Sequence, residues 1–177
     1  MSALVAHAEK NAAPHRHVDD AQYLTFQLSG EMFGITILHI KEIIEYGQMT
    51  TVPMMPGFVR GVINLRGRVV PVIDLQARFG RPSAAIGKRT CIVIIEICNG
   101  FESQDIGVVV DAVSEVLAIA SADIERAPTF GARLRADFIA GMGKVDGKFV
   151  ILLNVDQVLS VTELAGLVGG LHEPAAP

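Results

Sequence analysis

Hydrophobic and polar residues alternate from Gln22 to Leu28, with Leu24, Phe26 and Leu28 on one face and Tyr23, Thr25 and Gln27 on the other. That period of two predicts a half-buried β-strand. Ser29-Gly30-Glu31 turns the chain, and Phe33, Ile35 and Ile37 begin a second strand. Between Leu38 and Glu45 the apolar positions Ile40, Ile43 and Ile44 fit a helical turn or an irregular strand, and periodicity leaves both open. Thr51 to Gly57 is a proline-marked loop. It feeds the pattern GFVRGVINLRGRVVPVIDL, two apolar strands meeting at Leu65-Arg66-Gly67, where Gly67 supplies the positive φ of a tight hairpin. Arg66 then stands at a hairpin tip. Asp74 is placed to cap a short helix over Leu75 to Phe79, stopped by Gly80.

After a connector from Arg81 to Arg89, Thr90 to Cys98 is apolar on both faces and predicts a central buried strand. Asn99-Gly100 marks a turn, and Ile106 to Ile119 predicts one long strand with a bend. Ser121 to Asp137 is polar and irregular. Phe138 to Val155 predicts a second hairpin turning at Asp146-Gly147, and Ser160-Val-Thr-Glu163 is a capping box for a terminal helix bearing Leu164, Leu167 and Val168.

The second half of this pattern repeats the first. A shift of 80 positions sets residues 58–75 on 138–155, with Phe58/Phe138, Gly61/Gly141, Gly67/Gly147 and Val70/Val150 identical. A shift of 73 sets residues 33–44 on 106–117, matching Gly34/Gly107 and Glu42/Glu115. The change of shift places a seven-residue insertion between Ile119 and Phe138. Halves of about 65 to 75 residues are each small for an independent core. The expected fold is all-β: two small barrels or curled sheets, roughly residues 21–85 and 86–160, packed together, with exchange of strands between them left open.

Composition narrows the function. The chain has 177 residues, half of them hydrophobic, and a net charge of −4. Mild acidity gives no electrostatic case for nucleic acid or an anionic membrane, both of which usually want a basic face, and no apolar run approaches a membrane span. The histidine-bearing segment 1–20 and the segment 169–177 are expected to be flexible tails. Cys91 and Cys98, seven apart on one strand, are too far apart to pair and are expected to be small buried hydrophobes. The chain contains no phosphate loop, no HExxH, no GxSxG and no CxxC. It is therefore read as a binding module without catalytic residues, metal or cofactor.

The run from Gln22 to Val168 resembles the CheW family of bacterial chemotaxis coupling proteins. The resemblance is carried by YLTFQLSGEMFGITILHIKEI, GVINLRGRVVPVIDL, IGVVVDAVSEVL, ERAPTF and FIAGMGKVDGKFVILLNVDQVL, in that order. It implies two SH3-like five-stranded β-barrels with short helices, including a C-terminal one. It also implies a cytoplasmic scaffold without catalytic activity, recruited to receptor clusters. The implied partners are the regulatory domain of the histidine kinase CheA and the helical cytoplasmic tip of methyl-accepting chemoreceptors. Glu42, Arg66 and Gly67 fall on the positions linked to coupling, with Glu42 and Arg66 expected to approach as an ion pair. Ile37, Ile40, Cys91, Val113 and Val116 are the candidates for an apolar receptor groove. Little chain remains for a kinase or receiver domain after Val168, which favours a stand-alone coupling protein over a module of CheA or CheV. The rival readings are a paralogue serving surface motility or second-messenger control, and a small-molecule binding module using the groove between the barrels.

Overall fold

The computed structural model describes residues 20–83, 85–127 and 136–160. Strands dominate it. β1 (Asp20–Leu28) and β2 (Glu31–Thr36) form a hairpin, and a 3-10 turn at Ile37–His39 leads into β3 (Ile40–Glu45). The central hairpin is β4 (Val59–Leu65) with β5 (Arg68–Asp74), followed by α1 (Leu75–Arg78). β6 (Cys91–Asn99), β7 (Glu102–Val110) and β8 (Ala112–Ala120) come next. β9 (Ile124–Glu125), β10 (Ile139–Val145), β11 (Lys148–Leu153) and α2 (Val155–Val158) complete the described chain. The segment Leu38–Glu45, ambiguous in sequence, contains both alternatives in succession: one helical turn, then an irregular strand.

The strands lie in two sheets, ordered β8-β1-β2-β11-β10-β9 and β3-β6-β7-β5-β4. Each sheet draws strands from both halves of the chain. Two parallel pairings join the halves, Val72 of β5 to Gly107 of β7 and Leu152 of β11 to Gly34 of β2. These pairings are repeat equivalents with the halves exchanged. Space is short at Gly34 and Gly107: an added Cβ would lie 3.0 Å from Leu152 Cδ2 at Gly34 and 2.8 Å from Ile92 Cγ2 at Gly107.

The repeat extends to detail. Both hairpins carry a bulge, at Val59/Gly61 and Ile139/Gly141. Asp74 N donates to Phe58 O at 2.7 Å, and Asn154 N donates to Phe138 O at 2.8 Å. Asp74 caps α1 as expected, accepting from Gln76 N and Ala77 N. Its equivalent Asn154 precedes α2, a helix that sequence patterning did not single out although the repeat places it opposite α1. The terminal helix expected after Ser160 lies outside the described residues.

Three expectations are corrected. The predicted long strand from Ile106 to Ile119 starts earlier, at Glu102, and breaks at Asp111 into β7 and β8, which belong to different sheets. Asp111 pins the crossing: its N–H donates to Gln27 O at 3.0 Å and its carboxylate accepts from Ser29 N at 2.8 Å. The sheets hold six and five strands rather than five each. The sixth is two-residue β9, matched in the other sheet by the single bridge Thr50–Val62. Finally, Cys98 is exposed, because β6 runs past the core towards its turn, and Cys91, at the strand's other end, is only half-buried; both are free thiols.

One main core serves both sheets, beside a smaller cluster within each sheet. It includes Phe26, Phe33, Phe79 and Phe138, whose rings follow one another at centroid spacings of 6.1, 5.8 and 6.1 Å. Beside them the Arg78 guanidinium lies between Phe58, at 5.2 Å, and Phe138, at 4.8 Å. Those two rings are repeat equivalents. Arg78 Nε also donates to the carbonyl of its own equivalent, Val158, at 3.0 Å. Arg78 thus bridges equivalent positions of the two repeats. Arg78→Ala is expected to destabilise the fold by about 2–3 kcal/mol, through lost cation–π contact and lost packing. Urea unfolding should show a lower midpoint with an unchanged slope.

Candidate functional site

The β4–β5 hairpin turns in two residues, both left-handed: Arg66 at φ 52° and Gly67 at φ 82°. This is the turn whose twist matches the strands it joins. Sequence reasoning assigned the positive φ to Gly67 alone, and Arg66 shares it. Holding a long side chain there costs about 1 kcal/mol. Asn64 Oδ1 accepts from Gly67 N at 2.9 Å and fixes the turn from below.

Glu42 approaches this tip from β3. The ladder between β3 and β6 slips between Ile40 and Glu42, a bulge that disturbs the strand's alternation. Arg66 Nη1 and Nη2 donate to Glu42 Oε1 and Oε2, each at 2.9 Å. The pair is bidentate, the strongest geometry available to these groups. Because the Arg66 side chain is 75% exposed, the pair contributes only about 0–1 kcal/mol to stability.

More charges surround it. Lys41 Nζ lies 2.8 Å from Glu96 Oε2 and 2.9 Å from Asp105 Oδ1, and Arg68 Nη1 lies 3.8 Å from Asp105 Oδ2. Hydrogen bonds to Glu96 and Asp105 raise the Lys41 pKa, so its charge is held at every physiological pH. Lys41, Glu42, Leu65, Arg66, Arg68 and Asp105 line an open depression of about 430 Å³. Sequence reasoning missed Lys41, Glu96, Asp105 and Arg68, since their meeting depends on strands far apart in the chain.

The apolar candidates fall along the seam between the sheets. Ile37 and Ile40 flank the passage from β2 to β3, and Val113 follows the equivalent passage from β7 to β8. Together with Cys91 they are half-buried and pack on the main core. Burial raises the Cys91 thiol pKa, opposed by a hydrogen bond from the Val113 backbone, which places Cys91 against Val113. Val116 stands apart from this group, 51% exposed on β8 opposite Leu24. A second depression, of about 550 Å³, opens beside the seam, lined by Ile37, Leu38, Thr36, Gln22 and Ala118 among others. Leu38 is 91% exposed at its rim. The only sequence signal for Leu38 is the broken alternation after Ile37.

Among the described residues no group of three or more His, Cys, Asp or Glu side chains is placed to hold a metal ion. No helix among them is long and apolar enough to cross a membrane.

Residues 22–163 match the family model of the CheW-like domain. The chain belongs to the CheW family. Among curated relatives, "Chemotaxis protein CheW" of Klebsiella aerogenes is 35% identical over 81% of this chain and 84% of its own. The protein of the same name from Rhizobium meliloti is 31% identical over 86% of this chain and 96% of its own. The crystal structure of the scaffolding protein TtCheW from Thermoanaerobacter tengcongensis superposes with a TM-score of 0.72 at 34% identity. That match covers 82% of this chain and 92% of the other. The two-sheet architecture of this CheW-family chain is therefore shared with a solved member.

The cost of the Arg66 backbone conformation is directly testable. Arg66→Gly relieves the left-handed strain while losing the ion pair and adding disorder to the unfolded chain, so stability should change by less than about 1 kcal/mol. Arg66→Val places a β-branched residue at φ 52° and should cost more, about 1–2 kcal/mol, in parallel urea titrations.

Proposed function

We propose that this chain is a non-enzymatic scaffold that couples transmembrane chemoreceptors to the histidine kinase CheA in bacterial chemotaxis. Membership of the CheW family supports the reading, as do relatives named chemotaxis proteins and a solved neighbour named a scaffolding protein. In this reading the protein works in the cytoplasm and is recruited to receptor clusters at the membrane.

The observation that carries the proposed receptor contact is the apolar depression at the seam, with Leu38 exposed at its rim. A helical receptor tip presents apolar side chains at spacings of three and four, and such a face docks into an apolar trough with a few polar anchors. Ile37 and Leu38 line that depression, and Ile40, Cys91 and Val113, half-buried against the main core, would complete the contact, with the exposed Val116 as a peripheral one. Glu42, Arg66 and Gly67 form the proposed kinase-coupling surface. The bidentate pair holds a guanidinium at a fixed place on the surface, where a partner's carboxylates or carbonyls can recognise it. Two simultaneous contacts tether kinase to receptor and raise their effective concentration without new chemistry.

Binding of the full chain to the CheA regulatory domain of the same organism tests the reading, with Arg66→Glu measured beside it. The expected result is micromolar affinity for the parent chain and at least about tenfold weaker binding by a folded Arg66→Glu variant, since the reversal sets two carboxylates against each other. Equal binding by both chains would move the kinase contact away from Arg66. Binding only to a kinase of another chemosensory system would replace the chemotaxis assignment with the paralogue reading.

A further inference from the structure

The Glu42–Arg66 pair spans a gap in its sheet. In the order β3-β6-β7-β5-β4, β3 and β4 are opposite edges. The chain beyond β3 returns to β4 at one bridge, where Thr50 N donates to Val62 O at 2.9 Å and Val62 N to Thr50 O at 2.8 Å. From that bridge to the hairpin tip, no backbone hydrogen bond joins β3 to β4 or β5 among the described residues. Side chains close this stretch.

Asp105 stands at the centre of that closure. Its side chain is 11% exposed, less than those of Lys41, Glu96, Arg66, Arg68 and Glu42 around it. It reaches Lys41 through Oδ1 and Arg68 through Oδ2. Lys41 precedes Glu42 within the β3 bulge, and Arg68 follows Arg66 across the turn. One carboxylate therefore engages both flanks of the Glu42–Arg66 pair. Its strand neighbour reinforces the arrangement: Glu96 lies directly opposite Asp105 in the β6–β7 ladder, and Lys41 offsets the repulsion of those two carboxylates.

We infer that Asp105 is a positioning residue, holding β3 and the β4–β5 hairpin at the separation that lets the Arg66 guanidinium meet the Glu42 carboxylate. The inference rests on the coupling role proposed above for Glu42 and Arg66. An isolated exposed ion pair is populated only a few-fold over its broken form. A partner that recognises Arg66 in one place then loses affinity in proportion to the broken fraction. Fixing both strands through a less exposed carboxylate raises the fraction of molecules ready to bind, without Asp105 touching the partner.

The test uses the full chain and reads Arg66 itself. In ¹⁵N NMR the Arg66 Nε–Hε group should give a heteronuclear NOE typical of an ordered side chain. Asp105→Asn, close in shape but uncharged, should lower that NOE towards the value of an unrestrained arginine. Lys41→Met should act in the same direction, and Asp105→Glu should recover part of the order. Binding to the CheA regulatory domain should weaken about 3- to 10-fold in Asp105→Asn, and the double variant with Arg66→Ala should be no weaker than Arg66→Ala alone. An Arg66 signal that is already averaged in the parent chain, or unchanged in both Asp105→Asn and Lys41→Met, overturns the inference. So does a double variant whose losses multiply, which would make Asp105 an independent contact. If the parent chain binds no kinase, the coupling reading fails, while the NMR comparison still decides whether Asp105 positions Arg66.

Discussion

Neither half of this chain builds a sheet from its own strands alone, and the rest of the structure depends on that. β1 and β2 are completed by β8 and β11, and β6 and β7 by β3 and β5. Two parallel pairings tie the exchange together, and each places a glycine where space is short. Each half is small for an independent core, and the exchange gathers most of the buried apolar side chains into one core running from Leu24 to Leu159. Arg78, between two repeat-related phenylalanines, lies where the halves meet. Its planar cation suits that position, stacking on aromatic faces while its Nε–H satisfies a backbone carbonyl.

This shared core makes the surface features usable. The passage from β2 to β3 and its equivalent from β7 to β8 both cross from one sheet to the other, and Ile37, Ile40 and Val113, at or beside these crossings, pack with Cys91 on the main core. In the proposed function, residues anchored in a common core would keep their places when a partner docks, and pre-organisation of that kind lowers the cost of binding. The hairpin tip follows similar logic. Its two-residue turn fixes where Arg66 emerges, and the bulge in β3 fixes where Glu42 meets it.

The repeat also shows where the halves diverged. Glu42 has an acidic equivalent in Glu115, but Arg66 is matched by Asp146, so the second hairpin keeps the turn and lacks the cation. Turn geometry is a requirement of the fold, and it survived in both copies. The ion pair is not such a requirement, and it is found in one. That contrast supports reading Arg66 as a recognition residue rather than a structural one.

Much was legible in the sequence because it depends on near neighbours. The alternation in β1, the uninterrupted apolar run of β6, the turns at Arg66-Gly67 and Asp146-Gly147, and the Asp74 cap are all set by residues within a few positions of one another. The duplication was legible too, since two copies of one local pattern leave the same spacing of Phe, Gly and Val. Tertiary structure decided what sequence spacing cannot encode: that the halves exchange strands, that Asp111 splits one apolar run between two sheets, and that Cys98 ends up outside. It also decided that Lys41, Glu96, Arg68 and Asp105 converge around the Glu42–Arg66 pair. Local backbone preference and side-chain period act over a few residues. Which sheet a strand joins, and which charges then face each other, is settled by burial summed over the whole chain.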